Sequence, residues 1–348
     1  RPRPLTVPAP PVSRLAALRD IRTRLQNSSS VVLTTHVNPD GDGLGSMVAL
    51  ATRLRNKGVE VTIVTPSRAP MSLQFLLMDV PAFITDDPAS RDPLERADAI
   101  AVLDTAEPQR LGRLPAHLER VGGVLIDHHP VVGDALVEPS IRDPSACATG
   151  ELVFDLLSLD DCSLNCAEAE AIYVALVTDT GSFQFSNTSS RTHAIVAELI
   201  DAGVDPGTMY RALYGVYTRG KLALVSLALE NLEVDPLTPI AWVALDHRAL
   251  FDTGATGEDM EGLVEYPRRL KGIEVGLFFR GLSRDRTKVS LRSNDGVNVS
   301  EVAQLLGGGG HAKASGIVLD VGLSEAVRTV VEELRPRVDA LISLKEAG

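Results

Sequence analysis

Short apolar segments alternate with amphipathic segments through the first two hundred residues of this chain. Mostly apolar runs of strand length lie at residues 31–35, 59–65, 99–103 and 121–126. Helical patterns cover residues 44–57, 108–120, 167–177 and 191–202, and Gly203 follows the last of them as a helix stop. Apolar strands that alternate with helices are typical of a parallel sheet covered on both faces. We therefore predict an α/β domain over residues 13–205.

The pattern changes in the second half of the chain. Residues 206–233 show little strand character and predict a helical linker. Strand patterns follow at residues 240–245, 273–280, 287–293 and 317–321, with helical patterns at 257–270, 299–306 and 324–344. They predict a second, smaller α+β domain over residues 234–348. Residues 1–12 are rich in proline and predict a disordered tail.

Composition narrows the classes of function. The chain has 348 residues, which at about 150 residues per domain agrees with two domains. Its formal net charge of −12 argues against binding to long duplex nucleic acid, which requires clustered cations. No apolar run approaches the ~18 residues that span a bilayer, so we expect no membrane insertion. Cys147, Cys162 and Cys166 form neither a CxxC pair nor an even set for disulfides, which favours a reducing, cytoplasmic setting.

Acidic and histidine residues directly follow three of the predicted strands. The residues concerned are His36, Asp40 and Asp42 after the first strand, Asp104 after the third, and Asp127, His128 and His129 after the fourth. In open parallel sheets, ligands bind beyond the carboxyl ends of the strands. Carboxylates and imidazoles together suit Mn²⁺, Mg²⁺ or Zn²⁺, and so many carboxylates in one place would repel one another without cations. The sequence therefore predicts a site for two divalent ions.

Each of these motifs also has a simpler interpretation. The Asp40-Gly-Asp42-Gly segment alone is typical of an ordinary turn, and an isolated Asp104 is typical of a helix cap. The His128-His129 pair alone could form a surface turn before proline. The metal hypothesis is preferred because all the motifs fall at one edge of one predicted sheet. We expect the glycines at 41, 43 and 45 to let the loop fold back, so that the two aspartates face different ions.

The same motifs, in the same order, resemble those of the DHH phosphoesterase superfamily. The matching segments are HVNPDGDGLGS at 36–46, Asp104, DHH at 127–129 and TDTG at 178–181. In the second domain, VSLRS at 289–293 and GGGGHAKASG at 307–316 resemble the DHHA1 domain. The layout is most similar to the nanoRNase/pAp-phosphatase subgroup, which includes mycobacterial cyclic-di-AMP and pApA phosphodiesterases. The resemblance implies a parallel-sheet DHH domain with helices on both faces, a smaller α+β DHHA1 domain, and an active site in the cleft between them.

The resemblance also implies roles for individual residues. One Mn²⁺ ion would be held by His36, Asp40, Asp104 and Asp179, and the other by Asp42, Asp104, His128 and Asp179, with Mg²⁺ or Co²⁺ as substitutes. Asp127 would orient an imidazole. His129 would contact the scissile phosphate or protonate the leaving oxygen, although a packing histidine is an equal alternative. The residues expected to bind substrate are Arg191, Arg292, Asn294, Gly309, Gly310 and His311. For Arg191, a solvated arginine at a helix start is at least an equal alternative. The glycine run at 307–310 alone is typical of a flexible linker, whereas the resemblance implies a turn whose backbone N–H groups approach the substrate.

We therefore expect a metal-dependent phosphodiesterase that hydrolyses dinucleotides such as pApA and short oligoribonucleotides to mononucleotides. Cyclic di-AMP and 3′-phosphoadenosine 5′-phosphate (pAp) are further candidate substrates. A dedicated pAp phosphomonoesterase is one alternative, and a nucleotide-sensing module without turnover is another. The resemblance implies a homodimer that acts in the cytoplasm.

Overall fold

The structure of the protein is a computed structural model, which describes residues 7–130, 133–215, 217–294 and 296–347. The chain divides into two compact units that meet in sequence at residues 216 and 217. This boundary falls inside the segment 206–233, for which we predict a linker. Val7 packs against the core of the first unit, and the Pro8 carbonyl accepts a hydrogen bond from Arg191. These two residues of the predicted tail therefore contact the folded domain.

A six-stranded parallel sheet forms the centre of the first unit. Its strands are β1 (Ser30–Thr34), β2 (Glu60–Thr65), β3 (Ala82–Ile84), β4 (Ala99–Leu103), β5 (Gly123–Asp127) and β6 (Ser140–Arg142), in the order β3-β2-β1-β4-β5-β6. The four longer strands agree with the predicted ones. β3 and β6 escaped prediction because three residues carry too little pattern. The strand order reverses between β1 and β4, where doubly wound sheets open a ligand crevice.

Helices cover both faces of this sheet. They are α1 (Val12–Gln26), α2 (Gly41–Asn56), α3 (Arg91–Arg96), α4 (Leu114–Val121), α5 (Thr149–Leu157), α6 (Cys166–Asp179), α7 (Ser190–Asp201) and α8 (Pro206–Tyr214). On β1, Val31 and Leu33 belong to one apolar cluster and Val32 to another, as expected for a strand buried on both sides. The predicted helix 108–120 is interrupted at Gly112, whose φ of +58° is left-handed, so that a 3-10 turn precedes α4.

The second unit contains a six-stranded mixed sheet. Its strands are β7 (Leu232–Val234), β8 (Ile240–Leu245), β9 (Val275–Ser283), β10 (Arg286–Ser293), β11 (Gly309–His311) and β12 (Ala314–Leu319), in the order β11-β12-β10-β9-β8-β7. Only β8 and β9 pair in parallel. The predicted helix 257–270 is instead a 3-10 turn and a four-residue helix, because Gly262 (φ +82°) interrupts it. The glycine run at 307–310, for which the resemblance implies a turn, lies partly in strand β11.

Helices of the second unit pack on both sides of its sheet. They are α9 (Arg219–Glu230), α10 (Ala249–Thr253), α11 (Glu265–Arg268), α12 (Val299–Leu305) and α13 (Leu323–Ala347). Trp242 and Leu277 pack with α12 and α13 in one apolar cluster, whereas Val243 and Phe278 pack with α9 in another. Within the described part of the chain, no helix is both long and apolar enough to cross a membrane.

Candidate metal centre

The carboxyl ends of β1, β4 and β5 bring the predicted ligands together. His36 follows β1 by two residues, Asp104 directly follows β4, and Asp127 is the last residue of β5. Asp104 adopts a left-handed backbone conformation (φ +64°), and its N–H donates to the Ile126 carbonyl at 2.9 Å. This carboxylate is almost completely buried, with 1% exposure. The site therefore lies where the strand order reverses, as the sheet topology predicts.

Asp40 and Asp42 are held by the first turn of α2. Asp40 is the N-cap, and its side chain accepts a hydrogen bond from the Gly43 N–H at 3.0 Å. The expectation that the glycines free a loop to fold back is wrong, because all three lie in the helix. A Cβ on Gly43 would lie 2.4 Å from Thr35 Oγ1, and one on Gly45 would lie 2.3 Å from the Ala171 carbonyl oxygen. The glycines therefore allow α2 to approach β1 and α6 closely.

One group of ligand atoms surrounds His36. Its Nε2 lies 3.3 Å from Asp104 Oδ2 and 3.5 Å from Asp40 Oδ2. Its Nδ1 donates to the Val37 carbonyl at 2.8 Å, which leaves Nε2 to face the two carboxylates. Burial lowers the pKa of His36, but the hydrogen bonds to Asp104 and Asp40 outweigh it and raise that pKa to about 10. These three side chains could hold a metal ion.

A second group surrounds His128. Its Nε2 lies 3.7 Å from Asp42 Oδ2, 3.7 Å from Asp104 Oδ1 and 3.6 Å from Asp179 Oδ2. This nitrogen is buried and has no hydrogen-bond partner among the residues that the structure describes. A buried polar atom without a partner is costly, and one that faces three carboxylate oxygens has the surroundings expected beside a cation. Asp42, His128 and Asp179 could therefore hold a second metal ion.

The carboxylates of the site repel one another. Burial raises the pKa of Asp42 well above its usual range, and the nearby charges of Asp104 and Asp179 raise it further. Burial also raises the pKa of Asp179 to about 6, with contributions from Asp104 and Asp40. Divalent cations would relieve this repulsion and would satisfy His128 Nε2. The residues present therefore fit bound divalent ions.

Helix α5 holds two of the ligands, which the sequence did not indicate. The N–H groups of Thr149 and Gly150 donate to Asp42 Oδ2 and Oδ1 at 2.7 and 2.8 Å. The Thr149 hydroxyl donates to Asp104 Oδ1 at 3.0 Å. The N-cap residue of α5, Ala148, has no capping side chain, so the distant Asp42 takes that role. Asn187 Nδ2 similarly donates to Asp179 Oδ2 at 3.3 Å.

Asp127 contacts both the imidazole and the backbone of His129. His129 Nδ1 donates to Asp127 Oδ1 at 2.7 Å, and the His129 backbone N–H donates to the same oxygen at 3.2 Å. The hydrogen bond to Asp127 raises the pKa of His129 despite burial. The His129 side chain is 43% exposed and lies beside the ligand groups, with Nδ1 3.7 Å from Asp104 Oδ1. Because Nδ1 is engaged by Asp127, Nε2 is the ring nitrogen that could contact a bound molecule.

Two residues expected to bind substrate are engaged within the protein. The Arg191 guanidinium pairs with Glu151 and Asp155 and also donates to the Pro8 carbonyl. Asn294 donates from Nδ2 to the carbonyls of Arg268 and Ile273 and accepts from Arg268 Nη1. Because these groups are already hydrogen-bonded, we do not propose Arg191 and Asn294 as substrate-binding residues.

Four other substrate candidates belong to the second unit. Arg292 is half-buried, and among the described residues no carboxylate lies within ion-pair distance of it; its Nη1 donates to the Leu291 carbonyl. A Cβ on Gly309 would meet nothing within 4 Å, whereas one on Gly310 would lie 2.6 Å from the Ala314 carbonyl oxygen. Gly309 therefore leaves open space in front of the backbone, while Gly310 is required by the close pairing of β11 with β12. The side chain of His311 lies outside the described part of the structure.

Both units of the chain are similar to known proteins. The family model for "DHH family, N-terminal domain" matches residues 30–177, and that for "DHHA1 domain" matches residues 241–340. The chain is 31% identical to "Bifunctional oligoribonuclease and PAP phosphatase NrnA" of Thermus thermophilus, over 88% of this chain and 89% of the relative. It is 30% identical to the Bacillus subtilis protein of the same name, over 82% and 88% of the two chains.

A solved structure is similar across both units. The crystal structure of an exopolyphosphatase-related protein from Bacteroides fragilis matches with a TM-score of 0.86 and 26% identity. The match covers 93% of this chain and 98% of that one. The two-domain arrangement in sequence is thus shared with both the curated relatives and a crystal structure.

Proposed function

The chain belongs to the DHH family, and we propose that it is a two-metal phosphodiesterase that hydrolyses short oligoribonucleotides to mononucleotides and also dephosphorylates pAp. The family membership follows from the Thermus thermophilus relative and from the two matching domains. The names of the two curated relatives join an oligoribonuclease activity to a pAp phosphatase activity. The substrate class proposed here is the one expected from the sequence motifs.

The observation that carries this proposal is the position of Asp104 between two ligand groups. Its Oδ2 faces His36, and its Oδ1 faces the unpartnered Nε2 of His128. One carboxylate that serves two groups is the arrangement expected of paired ions. We propose Mn²⁺ as the ion at both, with Mg²⁺ or Co²⁺ as substitutes. Asp179 belongs to the His128 group, and its sharing with the His36 group remains a prediction.

The residues around the ions would have different roles in the proposed reaction. Divalent ions, when bound, lower the pKa of a water molecule and neutralise charge on phosphoryl oxygens. Asp127 holds the Nδ1 proton of His129, which fixes the tautomer and leaves Nε2 to contact the scissile phosphate or to protonate the leaving oxygen. No side chain of the site is required as a covalent nucleophile.

Arg292 and Gly309 are proposed to bind the part of the substrate remote from the scissile phosphate. A half-buried guanidinium that pairs with no carboxylate of the described residues suits a phosphate, because its two-pronged donors match phosphate oxygens. The open space at Gly309 supports close approach of a ligand to the backbone. A site that binds phosphates at fixed positions would limit the length of the substrate and would not depend on its base sequence. We also propose that His311 contacts the substrate beside them.

One assay series tests the proposed function. The full chain is stripped of metal with a chelator, reloaded with Mn²⁺, Mg²⁺ or Co²⁺, and incubated with pApA, longer oligoribonucleotides, pAp and cyclic di-AMP. Release of AMP and of inorganic phosphate is measured separately. We expect AMP from pApA and the short oligoribonucleotides, AMP plus phosphate from pAp, and the highest rate with Mn²⁺.

Each alternative function predicts different products in these assays. Phosphate release from pAp without cleavage of pApA would identify a dedicated phosphomonoesterase. Tight binding of pApA without turnover in Mn²⁺ would identify a sensing module and contradict the proposal. Turnover of cyclic di-AMP at a rate comparable to pApA would show that the enzyme opens cyclic substrates directly.

We further propose that the protein forms a homodimer and acts in the cytoplasm. The family resemblance supports the homodimer. The cysteines Cys147, Cys162 and Cys166 are free thiols, two of them exposed, which supports a reducing compartment. Light scattering of the purified chain tests the dimer, since a monomeric mass at micromolar concentration would contradict it.

A further inference from the structure

Five charged residues form one ion cluster around helix α5, and we call it the α5 ion cluster: Arg14, Asp143, Glu151, Asp155 and Arg191. From α1, Arg14 Nε lies 2.7 Å from Asp143, and its Nη1 lies 2.8 Å from Glu151 and 2.9 Å from Asp155. From α7, Arg191 pairs with the same Glu151 at 2.6 Å and with Asp155. Four of the five side chains are less than 15% exposed, and Asp143 is 20% exposed.

The cluster joins the metal ligands through the first turn of α5. Glu151 directly follows Thr149 and Gly150, whose N–H groups hold Asp42. The other oxygen of Glu151 accepts from the Cys147 N–H at 3.1 Å, which fixes the chain just before the helix. The cluster therefore holds the first turn of α5 in place through the Glu151 side chain. The same turn holds Asp42 through the backbone N–H groups of Thr149 and Gly150.

A second connection runs through Asp143. Its backbone N–H donates to the Asp127 carbonyl at 3.0 Å, and Asp127 in turn holds His129. Its carboxylate pairs with Arg14 and accepts from Ser145. Arg14 thus joins the end of β5 to helix α5. Both β5, which ends with Asp127, and α5, whose N–H groups hold Asp42, are therefore connected to α1.

The composition of the cluster argues against a purely stabilising purpose. Two guanidinium groups face three carboxylates, and the desolvation of buried charges offsets most of the attraction between them. Apolar side chains of similar volume often pack a helix at no loss of stability. Unlike apolar contacts, the forked guanidinium groups of two different helices fix the position and direction of the carboxylates on α5.

We propose that the α5 ion cluster is a positioning device for the metal centre, in which Arg14 and Arg191 hold α5 where Thr149 and Gly150 orient Asp42. Thr149 extends the same control to Asp104 through its hydroxyl. Arg191 is then a positioning residue and not a phosphate ligand. This inference rests on the proposed function, because it concerns the affinity of the site for its ions.

Direct metal binding tests the inference without turnover. Mn²⁺ affinity of the full chain is measured by calorimetry and by the electron paramagnetic resonance of free Mn²⁺, at low temperature and without nucleotide. Loss of a group that orients a metal ligand costs about 10- to 100-fold in affinity, and we expect a loss of that order for Arg191→Met. Arg191→Lys should lose less, because it keeps the charge but not the fork.

Two further variants make the result specific. Asp155→Asn removes one carboxylate of the cluster, and it carries the same expectation if Arg191→Met does not fold. Arg53→Met is the matched control, because it breaks an equally buried pair of the same unit, Arg53 with Glu168 at 2.7 Å, near the C-terminus of α2 and away from the ligands in its first turn. We expect Arg53→Met to lower the unfolding temperature and to leave the Mn²⁺ affinity unchanged.

The outcomes separate this inference from the proposed function. Unchanged Mn²⁺ affinity in folded Arg191→Met and Asp155→Asn would overturn the inference alone. A higher KM for pApA with unchanged Mn²⁺ affinity in Arg191→Met would also overturn it, since it would make Arg191 a phosphate ligand. Failure of the wild-type chain to bind Mn²⁺ would overturn the proposed function and this inference with it.

Discussion

Asp104 faces both histidines of the metal centre through different oxygens, and its substitution is the sharpest test of the paired-ion arrangement. We predict that Asp104→Asn lowers kcat on pApA and on pAp alike, by about 10³-fold, because charge neutralisation by metal ions is worth several kcal/mol and each ~1.4 kcal/mol is tenfold in rate. Asparagine keeps the shape of the side chain, so the fold should survive. Turnover assays and Mn²⁺ binding on the same sample make the measurement.

Asp92→Asn is the matched control for this variant. Asp92 lies on α3 of the same unit, and its side chain is 74% exposed. We expect wild-type turnover from it. Near-normal turnover of Asp104→Asn on either substrate would mean that Asp104 does not serve both ligand groups.

Two neighbouring glycines of β11 have different predicted roles. We expect Gly309 to contact the substrate, whereas Gly310 is required for packing against β12. At Gly309 an added Cβ meets nothing within 4 Å, so we predict that Gly309→Ala folds normally but obstructs substrate. Overpacking against a bound molecule costs about 1–3 kcal/mol, which corresponds to a rise in KM of about 5- to 150-fold. Steady-state kinetics with pApA, together with the unfolding temperature, provide the measurement.

Gly310→Ala serves as the comparison. Its φ of +138° and the Ala314 carbonyl oxygen 2.6 Å from the added Cβ predict a loss of stability rather than a specific loss of binding. If Gly309→Ala leaves KM unchanged, substrate does not approach this part of β11.

Helices α2 and α6 approach closely enough that a single methyl group should separate them. A Cβ on Gly45 would lie 2.3 Å from the Ala171 carbonyl oxygen, and backbone cannot move aside as a side chain can. We predict that Gly45→Ala destabilises the first unit by about 1–3 kcal/mol. Because Asp42 lies in the first turn of α2 and α6 ends with Asp179, Mn²⁺ affinity should fall as well.

Urea unfolding and Mn²⁺ titration of Gly45→Ala are compared with those of Gly207→Ala. Gly207 lies on α8, and its added Cβ would be at least 3.5 Å from its neighbours, so this control should be neutral or stabilising by about 0.4–1 kcal/mol. Equal stability of the two variants would contradict the close approach of α2 and α6.

Helix α13 is tied to the β7–β8 connection by a buried carboxylate whose contribution depends on pH. Arg335 donates to Asp235 at 2.7 Å, and Thr238 donates to it through its N–H and hydroxyl groups. Burial opposes ionisation, but these hydrogen bonds outweigh it and lower the pKa of Asp235. A carboxyl group with a lowered pKa stabilises the fold above its unfolded pKa of about 3.9, and that stability is lost as the pH falls through the folded pKa.

We therefore predict that Asp235→Asn lowers the unfolding temperature at pH 7 and that the difference from wild type shrinks as the pH falls below about 4. Calorimetry at a series of pH values measures it. Asp320→Asn, at a side chain 88% exposed, is the control and should differ little at any pH. A difference for Asp235→Asn that does not change with pH would contradict the ionic origin of the effect.

All the candidate metal ligands belong to one of the two units, so metal removal should not affect them equally. Ligand binding at 100 times Kd stabilises the binding unit by about 2.7 kcal/mol, which for a unit of about 200 residues is roughly 5–10 °C in unfolding temperature. We predict that chelation of Mn²⁺ lowers the transition of the first unit by that amount and leaves the second unchanged.

Hydrogen exchange resolves the two units in the intact chain. Peptides from β1, β4 and α5 should lose protection when Mn²⁺ is removed, whereas peptides from β9 and β10 should not. Equal loss of protection in both units would mean that the ions stabilise the molecule as a whole, and unchanged protection in the first unit would argue against a metal centre there.

The alternation of strands and helices could be predicted from the sequence because apolar periodicity reports locally which face of an element is buried. It located β4 and β8 to the residue, and it placed His36, Asp104 and Asp127 at strand ends. Since parallel strands end at one edge of a sheet, their meeting at one site required no further information. Short elements such as β3 and β6 were missed because three residues do not establish a period.

Contacts between residues far apart in sequence were decided by the tertiary structure alone. Asp42 is held by Thr149, more than 100 residues later, and nothing near either residue indicates the other. Arg191 was expected to bind substrate, yet its guanidinium pairs with Glu151 of α5. The reason is physical: a hydrogen bond or ion pair between two helices depends on how those helices pack, which local periodicity does not encode. The sequence therefore determined which residues form the candidate metal centre. The packing of α5, which only the tertiary structure shows, determined which groups orient them.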